Sequence, residues 1–112
     1  MLGDMNKKAK LIRLVKEKDT EGFIEEYEEI VANIRCYVEG RHGSEKWANL
    51  ASFSEATDLF RFRKIPSIEV GTDMYIVFDN ARYDILSVEN IKGKGMYIEV
   101  LARRNVPSDG KS

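Results

Sequence analysis

The chain has 112 residues, with eighteen Lys and Arg against nineteen Asp and Glu, for a formal net charge of −1. Hydrophobic residues make up 43% and charged residues 33%, the composition of one small globular domain, and a near-zero charge excludes any bulk field toward nucleic acid or an anionic membrane. One cysteine, Cys36, closes no internal disulfide, and neither a membrane-length apolar run nor a signal-like opening is present, so a soluble domain assembled inside a cell is expected.

Residues 1–8 are polar without an apolar period, and residues 105–112 end in turn formers and charge; both read as flexible tails around one folded unit, 9–104. The unit opens with L-I-R-L-V-K, followed by D-T-E-G from Asp19 to Gly22, which is turn chemistry. Beyond it Phe23, Ile24, Tyr27, Ile30, Val31 and Ile34 recur at helical spacing with glutamates between them. The turn ahead of this stretch, and the alternation of I-R-C-Y-V from Ile34 to Val38, argue for strand instead. Periodicity alone leaves residues 23–34 open between helix and strand. Ser44 is a plausible N-cap for E-K-W-A-N-L-A-S-F, with Trp47, Leu50 and Ala51 on one face, and predicts one short helix.

The second half is clearer. L-F-R-F-R from Leu59 to Arg63 alternates as a half-buried strand, and Pro66, which lacks an N–H, ends the ladder. M-Y-I-V-F (Met74 to Phe78) and Y-D-I-L-S-V (Tyr83 to Val88) flank Asp79-Asn80-Ala81, where Asn80 suits a positive φ. Gly93 and Gly95 make a further turn, and M-Y-I-E-V-L from Met96 is the last strand. These three strands read as an antiparallel meander.

Candidate chemistry is sparse. His42 lies six residues from Cys36, but a polar-loop histidine and a half-buried cysteine are the better reading than a nucleophile and its base. Two Cys/His ligands fall short of a structural zinc site. Glu25, Glu26, Glu28 and Glu29 lack the D-x-D-x-D-G calcium loop and read as a solvated face. Gly93 to Gly95 has no following Lys-Ser pair, so it is a turn rather than a phosphate loop. Arg61, Arg63 and Lys64 beside Phe60, Phe62, Tyr75 and Tyr83 have the pattern of a base-stacking sheet. Any strand with aromatics inside and arginines outside has it too, and the neutral charge favours the core reading. No catalytic, cofactor or metal residue emerges.

Taken in order, these segments resemble the head–tail joining proteins of long-tailed bacteriophages, the adaptors and stoppers, from about Leu11 to Arg104. The D-x-x-G turn, I-R-C-Y-V in place of the family's W-A-x-V, and the G-S-E helix start at Gly43 carry the first half of the resemblance. S-E-A-T-D-L-F-R-F-R then resembles its T-x-x-I-R-Y-R strand. D-M-Y-I-V-F-D-N-A-R-Y-D-I-L-S-V-E-N resembles its hairpin, before M-Y-I-E-V-L-A. Lys64-Ile65-Pro66-Ser67 departs from the family's R-P-G-I, and Tyr37 stands near its usual tryptophan. The resemblance implies a mainly β fold, a small antiparallel β-barrel with one short helix and long loops, and it assigns residues 23–34 to a long hairpin.

It also implies a structural, non-enzymatic role without cofactors. Such proteins form a ring below the portal, hexameric or larger when assembled, and join capsid to tail. The implied partners are a portal-side adaptor, a tail-side terminator or completion protein, and double-stranded DNA that passes without sequence-specific binding. The implied location is the head–tail interface of the virion, reached from the bacterial cytoplasm during assembly. The loops set between strands, Glu39, Gly40, Arg41, His42, Gly43 and Ser44, and Ile68, Glu69, Val70, Gly71 and Thr72, are the expected contact or channel segments. A chain of this length has a radius of gyration of about 13 Å, so six copies about 26 Å apart would leave an opening of roughly 26 Å. The rival reading is a single-stranded nucleic-acid-binding barrel of the OB type that uses Arg61 and Tyr75.

Overall fold

A computed structural model describes residues 6–40, 55–90 and 96–105. Alternation of apolar and polar side chains turns this stretch of sequence into six strands: β1 (Lys7–Lys18), β2 (Ile24–Gly40), β3 (Asp58–Arg63), β4 (Met74–Phe78), β5 (Ala81–Asn90) and β6 (Tyr97–Asn105). Every pairing is antiparallel, and the strands close in the order β1-β2-β3-β6-β5-β4. Closure leaves the barrel itself no free edge. The expected β-barrel and the β4-β5-β6 meander are both present. The helix expected from Ser44 lies outside the described residues.

Residues 23–34 are strand: β2 pairs with β1 from Lys7↔Cys36 to Lys18↔Ile24. Cross-strand hydrogen bonding outweighs the helical spacing because Asp19 ends β1 first. Its carboxylate accepts the Glu21 and Phe23 backbone N–H groups at 2.9 and 2.8 Å, and Gly22 takes φ +91°. β1 takes in Lys7 and Lys8, which the sequence pattern assigns to the N-terminal tail; backbone pairing with Cys36 and Arg35 needs no apolar side chain there. The β4–β5 connection is a two-residue hairpin turn. Asp79 and Asn80 both have positive φ, 55° and 65°, as a turn matched to strand twist requires.

The core is the barrel interior. Leu11, Ile34, Cys36, Phe60, Phe62, Ile76, Tyr83, Ile98 and Val100 are buried in it. Phe60 meets Tyr83 and Phe78 edge-on, with centroids 5.1 and 6.0 Å apart, the arrangement that aromatic quadrupoles favour. Leu59 points the other way and is buried just as fully, with Ala56, Tyr37, Leu86 and Leu101 in a smaller cluster outside the barrel wall.

The topology sets two rims. One holds the end of β2, the Asp79–Asn80 turn and the end of β6; the other holds the β1–β2 turn, the β3–β4 connection and the start of β6. Phe60→Ala should cost about 3–5 kcal/mol, because the surrounding rings cannot collapse into the void. Urea denaturation checks it: the midpoint should fall with the slope unchanged.

Candidate functional site

The described residues of the two loops singled out in the sequence, Glu39–Gly40 and Ile68–Thr72, lie at opposite rims. Glu39 and Gly40 are the last residues of β2, paired with Leu59 and Asp58, while Arg41, His42, Gly43 and Ser44 lie outside the described residues, as does the Gly93–Gly95 turn. Ile68 to Thr72 sit in the β3–β4 connection at the other rim. There Ile65, Ile68 and Val70 are partly buried against the core, leaving Glu69 and Thr72 exposed. This connection therefore caps the barrel end, a role its polar composition did not reveal. Ser67 with φ 68° and an Ile68 N–H bond to the Ile65 carbonyl at 3.2 Å hold the turn that makes the cap.

The base-stacking pattern dissolves in three dimensions. Phe60, Phe62 and Tyr83 are inside the barrel. Arg61, outside, donates to Glu99 through Nε at 3.0 Å and Nη2 at 2.6 Å and lies over the Tyr37 ring; Arg63 lies over Tyr97. Neither an aromatic platform nor a free pair of arginines remains on this strand. Cys36 is fully buried, and burial pushes its thiol up to about 11, the opposite of an activated nucleophile. Among the described residues no group of three or more His, Cys, Asp or Glu is placed to hold a metal ion.

What the structure assembles instead is an arm. β1 pairs with β4 only from Lys10 to Arg13, whereas its pairing with β2 runs on to Lys18. Residues 14–30 therefore project as a two-stranded hairpin beyond the barrel wall. A bulge between Leu11 and Ile12, which makes Val31 the extra residue on β2, marks the bend at its root. Five of the six large hydrophobic side chains exposed among the described residues lie on this arm: Leu14, Phe23, Ile24, Tyr27 and Ile30, with Ile24 at 70%. Its charge is lopsided, with seven carboxylates against two lysines between Leu14 and Ile30.

The arm's root is held by a side-chain chain of contacts. The buried Tyr75 hydroxyl on β4 donates to Glu28 on the arm, and the Arg82 guanidinium lies over the Tyr75 ring, 3.9 Å from its centroid. Arg82 also donates from Nε to Asp84 at 2.8 Å. Arg13 and Glu29 pair at 3.0 Å across the same root. Burial, then Glu28, push the Tyr75 hydroxyl up to about 12. The glutamates read as a solvated face in the sequence are thus split by strand alternation: Glu28 anchors the arm, while Glu25 points out with Tyr27.

A second surface lies at the opposite rim, on the outside of β1 and β2. A groove of about 620 Å³ is lined there by Lys8, Lys10, Asn33 and Arg35, with Val77 and the Asp79–Asn80 turn on its far side. Sequence reasoning missed both surfaces. The groove's signal, K-K-A-K against N-I-R, becomes a patch only when β1 and β2 pair.

A closed barrel with a capped end, an acidic and apolar arm and a separate basic groove is the build of a protein that assembles with others. The family comparison agrees: a model described as phage head completion protein matches residues 1–105, and the chain belongs to that family of structural, non-enzymatic phage head components. No curated protein sequence matches the chain. Among solved structures, a chain of the "Virion of native gene transfer agent (GTA) particle" shares the fold at 18% identity, with a TM-score of 0.61, covering 91% of this chain and 96% of that one.

Two titrations check the site. Cys36 should resist alkylation in the native protein and react orders of magnitude faster once the chain is unfolded in guanidinium; rapid native alkylation near pH 8 would contradict its placement. Tyr75 ionises late, so its contact with Glu28 is complete below pH 10.0, the ordinary tyrosine value, and is lost as pH rises through about 12. Tyr75→Phe should remove that last transition from the ultraviolet titration and cost about 1 kcal/mol. Faster amide exchange should then be confined to the arm.

Proposed function

We propose that this chain assembles as a ring, hexameric or larger, below the portal of the phage head, joins the capsid to the tail, and helps retain packaged DNA. The observation that carries the reading is the arm. The closed barrel wall offers neighbours no strand edge, yet among the described residues five of the six large exposed apolar side chains lie together on a projecting hairpin. Exposed apolar surface of that kind is stabilised by burial against another chain. The occurrence of the same fold in a gene transfer agent virion supports a place in the particle itself.

The end of β2 and the β3–β4 connection, at opposite rims, suit a piece with one partner above and one below. Glu39 to Ser44 serve one side and Ile68 to Thr72 the other, toward a portal-side adaptor and a tail-side terminator or completion protein. The principal extents are 52 × 38 × 25 Å, so six copies 38 Å apart with the 25 Å axis radial leave an opening of about 50 Å, through which a duplex passes. The net charge of −1 lets DNA move through such a ring without strong counterion-release binding. Assembly takes place in the bacterial cytoplasm and the finished ring resides at the head–tail interface.

The test mixes the purified protein with portal-containing, DNA-filled heads that lack it, imaged at the portal vertex. A ring with retained DNA is expected. Glu69→Ala with Thr72→Ala, which leaves the Ile68 and Val70 packing untouched, should keep the ring and weaken DNA retention about tenfold. No ring, together with salt-sensitive binding of single-stranded oligonucleotides that is lost on Arg61→Ala, would put the OB-type reading in its place.

A further inference from the structure

Two like-charge pairs stand directly across from each other in the β1–β2 ladder. On the arm, Glu17 faces Glu25; on the outside of the barrel, Lys8 faces Arg35. Like charges in directly opposed positions destabilise a strand pair. No described carboxylate pairs with Lys8, Lys10 or Arg35, and no described cation pairs with Glu17 or Glu25. The two pairs are opposite in sign and share a spacing set by the same ladder. They sit at opposite ends of the barrel, so one copy cannot bring its own together.

We propose that the arm of one copy docks in the Lys8–Arg35 groove of the next, placing Glu17 and Glu25 against Lys8, Lys10 and Arg35. Tyr27 shares the arm face of Glu17 and Glu25, since Val15↔Tyr27 is the neighbouring pair, and it is 46% exposed. Docking covers it against the groove, whose lining includes Val77, and the groove's volume of about 620 Å³ is in the range that encloses whole ligand groups. The charge balance of the whole chain fits: the arm carries seven acidic and two basic residues, which leaves twelve acidic and sixteen basic elsewhere. Such a contact is heterologous, arm to groove, and a heterologous contact closes into a ring when its rotation divides the circle. The inference deepens the ring reading and rests on it.

Carbodiimide coupling of the native protein tests the contact, with isotopically light and heavy chains mixed at millimolar concentration and low salt. Mixed light–heavy isopeptides joining Glu17 or Glu25 to Lys8 or Lys10 are expected. The variants Glu17→Lys/Glu25→Lys and Lys8→Glu/Arg35→Glu should each lower intermolecular coupling about tenfold, and an equimolar mixture of the two should restore it. Links confined to other residues, no intermolecular link at all, or a mixture no better than either variant would overturn the proposal. So would loss of coupling to added duplex DNA that instead occupies Lys8 and Arg35. Imaging at the portal vertex separates the two levels: rings unaffected by either variant overturn the arm contact alone, while isopeptides without rings overturn the ring reading.

Discussion

The organisation of this protein follows from a mismatch in strand length. β4 has five residues and β1 has twelve, so β4 closes the barrel against only four positions of β1. The remaining residues of β1 keep their partner on β2 and leave the wall as a hairpin. An isolated two-stranded hairpin is marginal in water. This one is tied at its root by Tyr75, Glu28, Arg82 and the Arg13–Glu29 pair, and continuous with a barrel that does not depend on it. Closure removes the backbone edges that would otherwise pair at random. The strand edges left open are those of the arm, where β1 beyond Arg13 has no partner on β4 and β2 ahead of Cys36 has none on β3.

The same economy governs the loops. The β3–β4 connection seals one barrel mouth with Ile65, Ile68 and Val70, and leaves Glu69 and Thr72 among the side chains that face outward. A loop built this way presents Glu69 and Thr72 from a rigid base. Cys36, which drew attention as the lone thiol, is core filling on β2. The arginines of β3 are held by Glu99 and by aromatic rings and lend the wall rigidity rather than affinity for bases.

Much of the second half was legible because its strands obey a period of two and are separated by turn residues with a single use. Asp79-Asn80 and Pro66 are examples: the backbone chemistry of each admits few alternatives. Residues 23–34 were not legible from their own pattern, since Phe23, Tyr27, Ile30 and Ile34 fit a helix. Family resemblance assigned them to a hairpin, and the strand pairing with β1 bears it out. The conflict has a physical source: an arm exposed on both faces has no buried side to enforce alternation, so its apolar positions are free of the period that marks a core strand.

The composition of one small domain, the turns at Asp19–Gly22 and Asp79–Asn80, the inward face of β3, and membership of a phage head family by the order of weak signals can all be read from the residues in chain order. These are local properties, fixed by φ, ψ and side-chain alternation within a few residues. Tertiary structure alone decided that β3 pairs with β6, that β4 releases β1 after Arg13, and that Glu17–Glu25 and Lys8–Arg35 form opposite patches at opposite ends. Each of these depends on register between segments far apart in the chain, and register is settled by the closure of the whole barrel rather than by any one strand.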